Sequence, residues 1–485
     1  MAGSSSGGIR GREDGRSISG NGCRAVVFVA PVAPPRAVNA RQVSSGVLAF
    51  AALVTALTAL LTPYSPSIVV WAALLIPFLL LNADRLQFAG WLLFVAAMLA
   101  AVAGAVFSGT DIGPAMTSAG FLFALLVVLQ ALGRVASQSR IVIRGAEIIL
   151  SRSPGSRYLM LTFGTHLFTI FLNVGSVILI MSMLGPRVRD SDDGIVRPLA
   201  LAVVRGFAAA SFWSPLSLSM IVLLSLIDGI PYYVMAPLGL ASAAVYLFAG
   251  HLLDARKAGE TQSGTALTRA DVGTLSMITA GVAGLVLVSY ILVLVLGIRL
   301  IEAVFISAFI ATLVWVGLLK LRGAQQRKAP GIVEMLLTAP RMTNEIAIIC
   351  GSVTIGTVAS AAIPHWHAQT GDAATILFPL LAAAIPWVLV AFAFLAINPL
   401  VSGTIVAGVL NTAWPESAKL FLLLTIVWGW AAAASSSAFN VNVRLVALAV
   451  NRTPFKVAIP WNFRLTAVSC TMSGLACALG TYLST

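Results

Sequence analysis

Residues Phe88–Phe107 and Gly273–Gly297 are apolar runs without a single charged side chain. A helix needs ~20 such residues to cross the hydrocarbon core of a bilayer. A chain carrying several of them cannot fold as a water-soluble globule. Of its 485 residues, 59% are hydrophobic and 10% charged, against about 25% charged in a soluble domain. The sequence therefore predicts an all-α polytopic membrane protein. The net charge of +13 sits mainly between the apolar runs, where basic residues mark cytoplasmic loops. That placement argues against nucleic acid as a partner and leaves membrane lipid. The four cysteines have neither CxxC nor metal-ligand spacing and predict no disulfide framework.

Residues 1–44, rich in Ser, Gly and Arg, read as a disordered basic cytoplasmic tail. Scaffold spans follow over 45–133, at 45–62, 66–82, 88–107 and 113–133. The loop Arg134–Arg157 holds five arginines against Glu147 alone, a cytoplasmic signature. The segment 254–345 holds two further basic loops and the spans 273–296 and 300–320. Between the first two basic loops lie three apolar segments, 159–185, 198–228 and 231–253. An odd number of crossings cannot join two loops on one side, so one segment must turn back. The polar, Gly-containing "FLNVGS" makes 159–185 the re-entrant hairpin. The same reasoning makes 374–412 a hairpin from the other face, broken at "AINPLVSG". The prediction is eleven spans and two opposed hairpins, with the N-terminus cytoplasmic and the C-terminus outside.

Two spans, 198–228 and 418–450, are interrupted by small polar residues in "RGFAAASFWSPLSLSM" and "WGWAAAASSSAFNVNV". Placing Gly206 on Gly429, a shift of 223 positions, gives eight identities over 32 positions, among them Pro231, Val234 and Pro237 on Pro454, Val457 and Pro460. Because the copies start from opposite faces, 134–253 and 346–485 read as an inverted repeat, a common plan of secondary transporters. Ser214 before Pro215 and Asn398 before Pro399 are good helix starts. Asn173 and the run Ser435–Ser437 serve as weaker ones. Each break would aim the positive end of a half-helix at the protein centre and so favour an anion.

At these residues the chain resembles the ion transporter superfamily, which includes sodium/dicarboxylate symporters, arsenite-efflux permeases and the large subunits of tripartite transporters. "FLNVGSVILIM" and "AINPLVSGTIV" occupy the places of that family's Ser-Asn-Thr-like hairpin tips. The resemblance implies an elevator-like secondary transporter of a small, organic anion in the inner membrane, working as a homodimer and without a cofactor. The implied substrate residues are Asn173, Gly175, Ser176, Arg205, Ser214, Asn398, Ser402, Ser437 and Asn440. Sodium is the candidate coupling ion, at Asn173, Ser211, Asn398 and Ser435. The symporters' tip threonine falls here at Val174 and Pro399, which lack its hydroxyl; Ser176 and Ser402 are the substitutes.

Arg205 is the charged residue expected at membrane depth, where a charge is functional by default; Arg444 reads equally as a side chain reaching for an interface. The assigned spans show no deep carboxylate for a proton relay. The "PHWH" stretch at 364–367 is a weak metal pattern, so neither a resident metal nor an enzyme is expected. The other readings are a tripartite-transporter subunit needing a partner, an inorganic-oxyanion efflux permease, and a membrane transferase.

Overall fold

The computed structural model describes residues 39–107, 109–152, 154–227, 229–254, 266–321, 331–362 and 374–485. Among them every regular element is a helix. The scaffold comprises α1 (Ala40–Leu61), α2 (Ile68–Leu81), α3 (Phe88–Phe107) and α4 (Gly113–Ser137). Next come α5 (Arg140–Leu150), α6 (Pro154–Leu172), α7 (Val174–Val188), α8 (Asp193–Ala209), α9 (Leu218–Leu226) and α10 (Tyr232–Asp254). Helices α11 (Arg269–Leu296), α12 (Leu300–Leu321), α13 (Ile332–Leu336) and α14 (Thr343–Ala362) lead to α15 (Ala374–Phe394) and α16 (Pro399–Asn411). The chain closes with α17 (Lys419–Ser436), α18 (Val441–Ala449) and α19 (Phe463–Ser484).

Eleven helices among the described residues are long and apolar enough to cross a membrane. The number equals the expected one, but the membership differs. Helix α2, expected as a span, has only 14 residues, whereas residues 376–394 of α15, expected as a hairpin arm, are long enough to cross. The start also moves. Asn39 accepts from the backbone N–H of Gln42 while the Gln42 side chain returns the bond, a capping box that begins α1 inside the segment read as tail. Residues 1–38 of that tail and "PHWH" lie outside the described residues.

Both quoted spans are broken, by different chemistry. Helix α8 tightens into a 3-10 turn over Ala210–Phe212 before the chain leaves helical geometry at Trp213. Pro215 lacks an N–H and disfavours helical backbone at Ser214. The expected restart at Ser214-Pro215 does not occur: α9 begins at Leu218, after Ser217. The second break has no proline. Its side-chain amides do the work, Asn440 donating to Ala433 O at 2.9 Å and Asn442 to Ala434 O at 3.1 Å. Both carbonyls belong to the last turn of α17, and the Ala433 oxygen also accepts the Ser437 N–H at 3.2 Å.

Helices α8 and α17 cross. The ring of Phe212 lies edge-on to that of Trp428, centroids 4.7 Å apart. Seven residues earlier on one helix and seven later on the other, Asn462 bridges Arg205 and Ser435. The helices therefore run antiparallel. The midpoint between the two bridges falls at Ala208–Ala209 and Ala431–Ala432, whose side chains are fully buried. Each helix also lies along a second one, α8 along α6 and α17 along α15. Glycine permits both approaches. A Cβ at Gly206 would stand 2.4 Å from the Thr162 carbonyl oxygen, and one at Gly429 2.8 Å from Pro386 Cα.

The half-helices are exchanged: α7 packs on α18, and α16 on α9. The first pair ends together, Arg452 bonding to the Ser191 carbonyl at 2.8 Å and to Asp193 at 2.9 Å. In the second pair Glu416, past the end of α16, lies beside Gly229, past the end of α9. Arg157 near the start of α6 and Arg187 near the end of α7 are close enough for their charges to interact.

Candidate functional site

The turns before α7 and α16 have unusual backbones. Asn173 alone separates α6 from α7, with φ 50° and ψ −130°, a region that Asn tolerates better than most residues. Its side chain makes no capping bond, contrary to the expected role. Ser176 holds the turn instead: its hydroxyl donates to Asn173 O at 2.7 Å and lies 2.8 Å from Thr169 Oγ. At the other turn Ala396 has φ 65°. The N–H of Ile397 reaches Phe392 O and that of Ala396 reaches Ala393 O, a Schellman arrangement in which glycine is usual. Asn398 then caps α16 as expected, accepting from Leu400 N–H at 2.9 Å.

The remaining predicted residues divide into those already bonded and those left open. Ser437 donates to Ala393 O at 2.6 Å, tying the second break to the end of α15. Ser435 contacts Tyr246 Oη at 2.7 Å and accepts from Asn462. The Ser211 carbonyl accepts from Ser219 Oγ at 3.0 Å. Gly175 faces only Leu172, at ordinary contact distance. Ser214 and Ser402 differ: both are buried, and neither hydroxyl has a partner among the described residues. A buried hydroxyl without a bond is costly, which marks these two as open positions. His166, next to the first break, accepts from Trp213 Nε1 at 3.0 Å and keeps an unpartnered Nδ1.

Arg205 is fully buried and fully engaged. It donates to Asn462 Oδ1 (2.9 Å), Tyr158 Oη (2.8 Å), Gly250 O (3.1 Å) and Asp254 Oδ2 (2.8 Å). Asp254 also takes Arg197 at 2.9 Å. Four acceptors engage all three guanidinium nitrogens and four of the five N–H donors, and Asp254 matches the charge. Sequence reasoning missed Asp254, Asn462, Tyr158 and Tyr246. It placed Asp254 at the edge of a cytoplasmic loop; two arginines on the neighbouring helix, Arg197 and Arg205, were the available signal. The network joins α6, α8 and α10 to the second break through Asn462 and Ser435. Arg444, by contrast, is exposed.

Among the described residues no group of three or more His, Cys, Asp or Glu side chains is arranged to hold a metal ion. Compared with known proteins, the chain matches no family model and has no significant match among curated proteins.

Proposed function

We propose that this protein is a secondary active transporter of a small organic anion, placed in the inner membrane with its N-terminus cytoplasmic and its C-terminus outside. The observation that carries the reading is the antiparallel crossing of α8 and α17, centred on the alanines that a shift of 223 superposes. We read that crossing as lying on a two-fold axis relating α6–α10 to α15–α19, a reading that the packing of α7 on α18 and of α16 on α9 supports. On this reading α6–α7 and α15–α16 are the opposed re-entrant hairpins. Irregular backbone at such depth is tolerated where it lines a cavity. Half-helices starting at Asn173, Ser217, Asn398 and Asn440 then direct positive dipole ends at the substrate.

Arg205 takes a different part from the one first expected. Its charge is matched by Asp254, so it holds the site together while the half-helix ends and the open hydroxyls of Ser214 and Ser402 meet the anion. Elevator-like movement, a homodimer and sodium coupling complete the proposal as the superfamily resemblance implies. The test is a thermal-stability screen of purified protein over a panel of mono-, di- and tricarboxylates and inorganic oxyanions, with and without sodium. Stabilisation by one organic class is the expected result; an inorganic oxyanion alone stabilising it would redirect the reading to an efflux permease.

A further inference from the structure

A groove lies between α1, α4, α12 and α13, away from the two breaks. It is shallow and open to the outside, and is lined by Leu53, Val127, Ala131, Phe309, Leu313 and Met335. Arg134 lies one turn beyond Ala131 on α4 and so on the same helix face. Its Nη2 meets Glu334 at 3.3 Å, a carboxylate more than half exposed. Its Nη1 is buried and has no partner among the described residues. Arg341 is near enough for its charge to act on Arg134. Arg134 and Glu334 adjoin the lining residues Ala131 and Met335, and the Arg341 charge adds to that of Arg134 beside the groove.

We propose that this groove binds one anionic phospholipid, an acyl chain lying in the groove and the phosphodiester on Arg134. The spacing suits such a molecule. Val127 and Arg134 are seven residues apart, roughly 10 Å along a helix, so the chain lies below the headgroup. The basic loop that follows Arg134 puts this end at the cytoplasmic leaflet, where anionic lipids attract basic residues. A zwitterionic headgroup brings its own cation and leaves the excess charge unmatched. A free phosphate leaves the apolar groove unfilled. The inference does not depend on what the protein carries.

Delipidated protein in a non-ionic detergent decides the matter, by native mass spectrometry and thermal shift with phosphatidylglycerol, phosphatidylcholine or inorganic phosphate. Wild-type protein should retain one phosphatidylglycerol in preference to phosphatidylcholine by about 5-fold, the effect of one basic residue at a membrane surface. Inorganic phosphate should give no shift. Arg134→Gln should lose the preference, Arg134→Lys should keep most of it, and Ala131→Phe should exclude both lipids. Equal retention of the two lipids by wild type would overturn the proposal. So would an unchanged preference in Arg134→Gln, or a phosphate shift as large as that of phosphatidylglycerol.

Discussion

Arg205 Nη2 and Asp254 Oδ2 meet at 2.8 Å, and neither side chain is more than 3% exposed. Removing one member of a buried ion pair leaves the other charge uncompensated, at a cost of about 3–5 kcal/mol. The two partners are not equivalent. Asp254 keeps Arg197 if Arg205 is lost, whereas Arg205 pairs with no other carboxylate among the described residues. Asp254→Asn is therefore expected to lower the melting temperature in detergent more than Arg205→Gln. Lys at 205 should not rescue, because a single ammonium cannot reach acceptors on four sides. If Arg205→Gln melts normally but no longer binds the anion, Arg205 is a substrate ligand and the internal role assigned to it is wrong.

The glycines of the two crossings give a paired test. An added Cβ meets main-chain or ring atoms at both Gly206 and Gly429, and neither neighbour can swing aside. Overpacking of this kind costs about 1–3 kcal/mol. Gly206→Ala and Gly429→Ala should both destabilise, by similar amounts. Gly273→Ala, inside α11 and where a Cβ meets nothing within 4 Å, should instead leave the melting temperature unchanged or raise it slightly, Ala being the better helix former.

Much of this architecture was legible because membrane crossing imposes length and charge rules that act locally. The runs, the breaks and the 223-residue shift are all one-dimensional features. The ion-pair network was not legible, since Asp254 reaches Arg205 only after α10 folds against α8. The cap expected of Asn173 and the helix start expected at Ser214 failed for a related reason. A serine or asparagine beside a break has several open backbone groups within reach. Asn440 turned back to the Ala433 carbonyl of α17, and at Asn173 the bond to the turn comes from Ser176, which donates to the Asn173 carbonyl. Such choices depend on which orphan group is nearest, and sequence spacing does not specify that.

The open hydroxyls behave oppositely to the bonded one. Ser214 and Ser402 are buried without partners, so Ala at either position should leave the ligand-free protein as stable or more stable, by up to about 1 kcal/mol. The same substitutions should weaken stabilisation by the anion or its coupling ion. Ser437→Ala strips Ala393 O of a 2.6 Å bond and should destabilise with or without ligand. Thermal shift on the three variants, with and without the stabilising compound, separates the cases. Full ligand response in both Ser214→Ala and Ser402→Ala would remove these serines from the site.

Ala396 holds a left-handed backbone with φ 65°, where a Cβ crowds the carbonyl oxygen at a cost of about 1–2 kcal/mol. Ala396→Gly is expected to raise the melting temperature. Strain of this kind is often kept where it serves a function. The same variant is therefore expected to bind the anion less tightly, a more flexible turn having to be ordered on binding. A variant that gains both stability and affinity would show the turn to be a structural accident.

The last expectation concerns which ends share a face. Arg157 and Arg187 are close enough for their charges to interact across the two ends of α6–α7, although 15 residues (Tyr158–Leu172) and 13 residues (Val174–Pro186) of helix lie between them and the turn. Both ends of the unit then belong on one side. Ser417 donates to the Ser484 carbonyl at 2.7 Å, which ties the start of α17 to the C-terminus, and the proposed topology puts this pair on the other side. With the native cysteines replaced, Ser151→Cys and Ser191→Cys should react with an impermeant maleimide only when the cytoplasmic face is opened. Ser417→Cys should react in intact cells. Labelling of residues 151 and 191 from opposite faces would make α6–α7 a full crossing. That would move every later loop to the other side and remove the inverted repeat, because its two copies would then start from the same face.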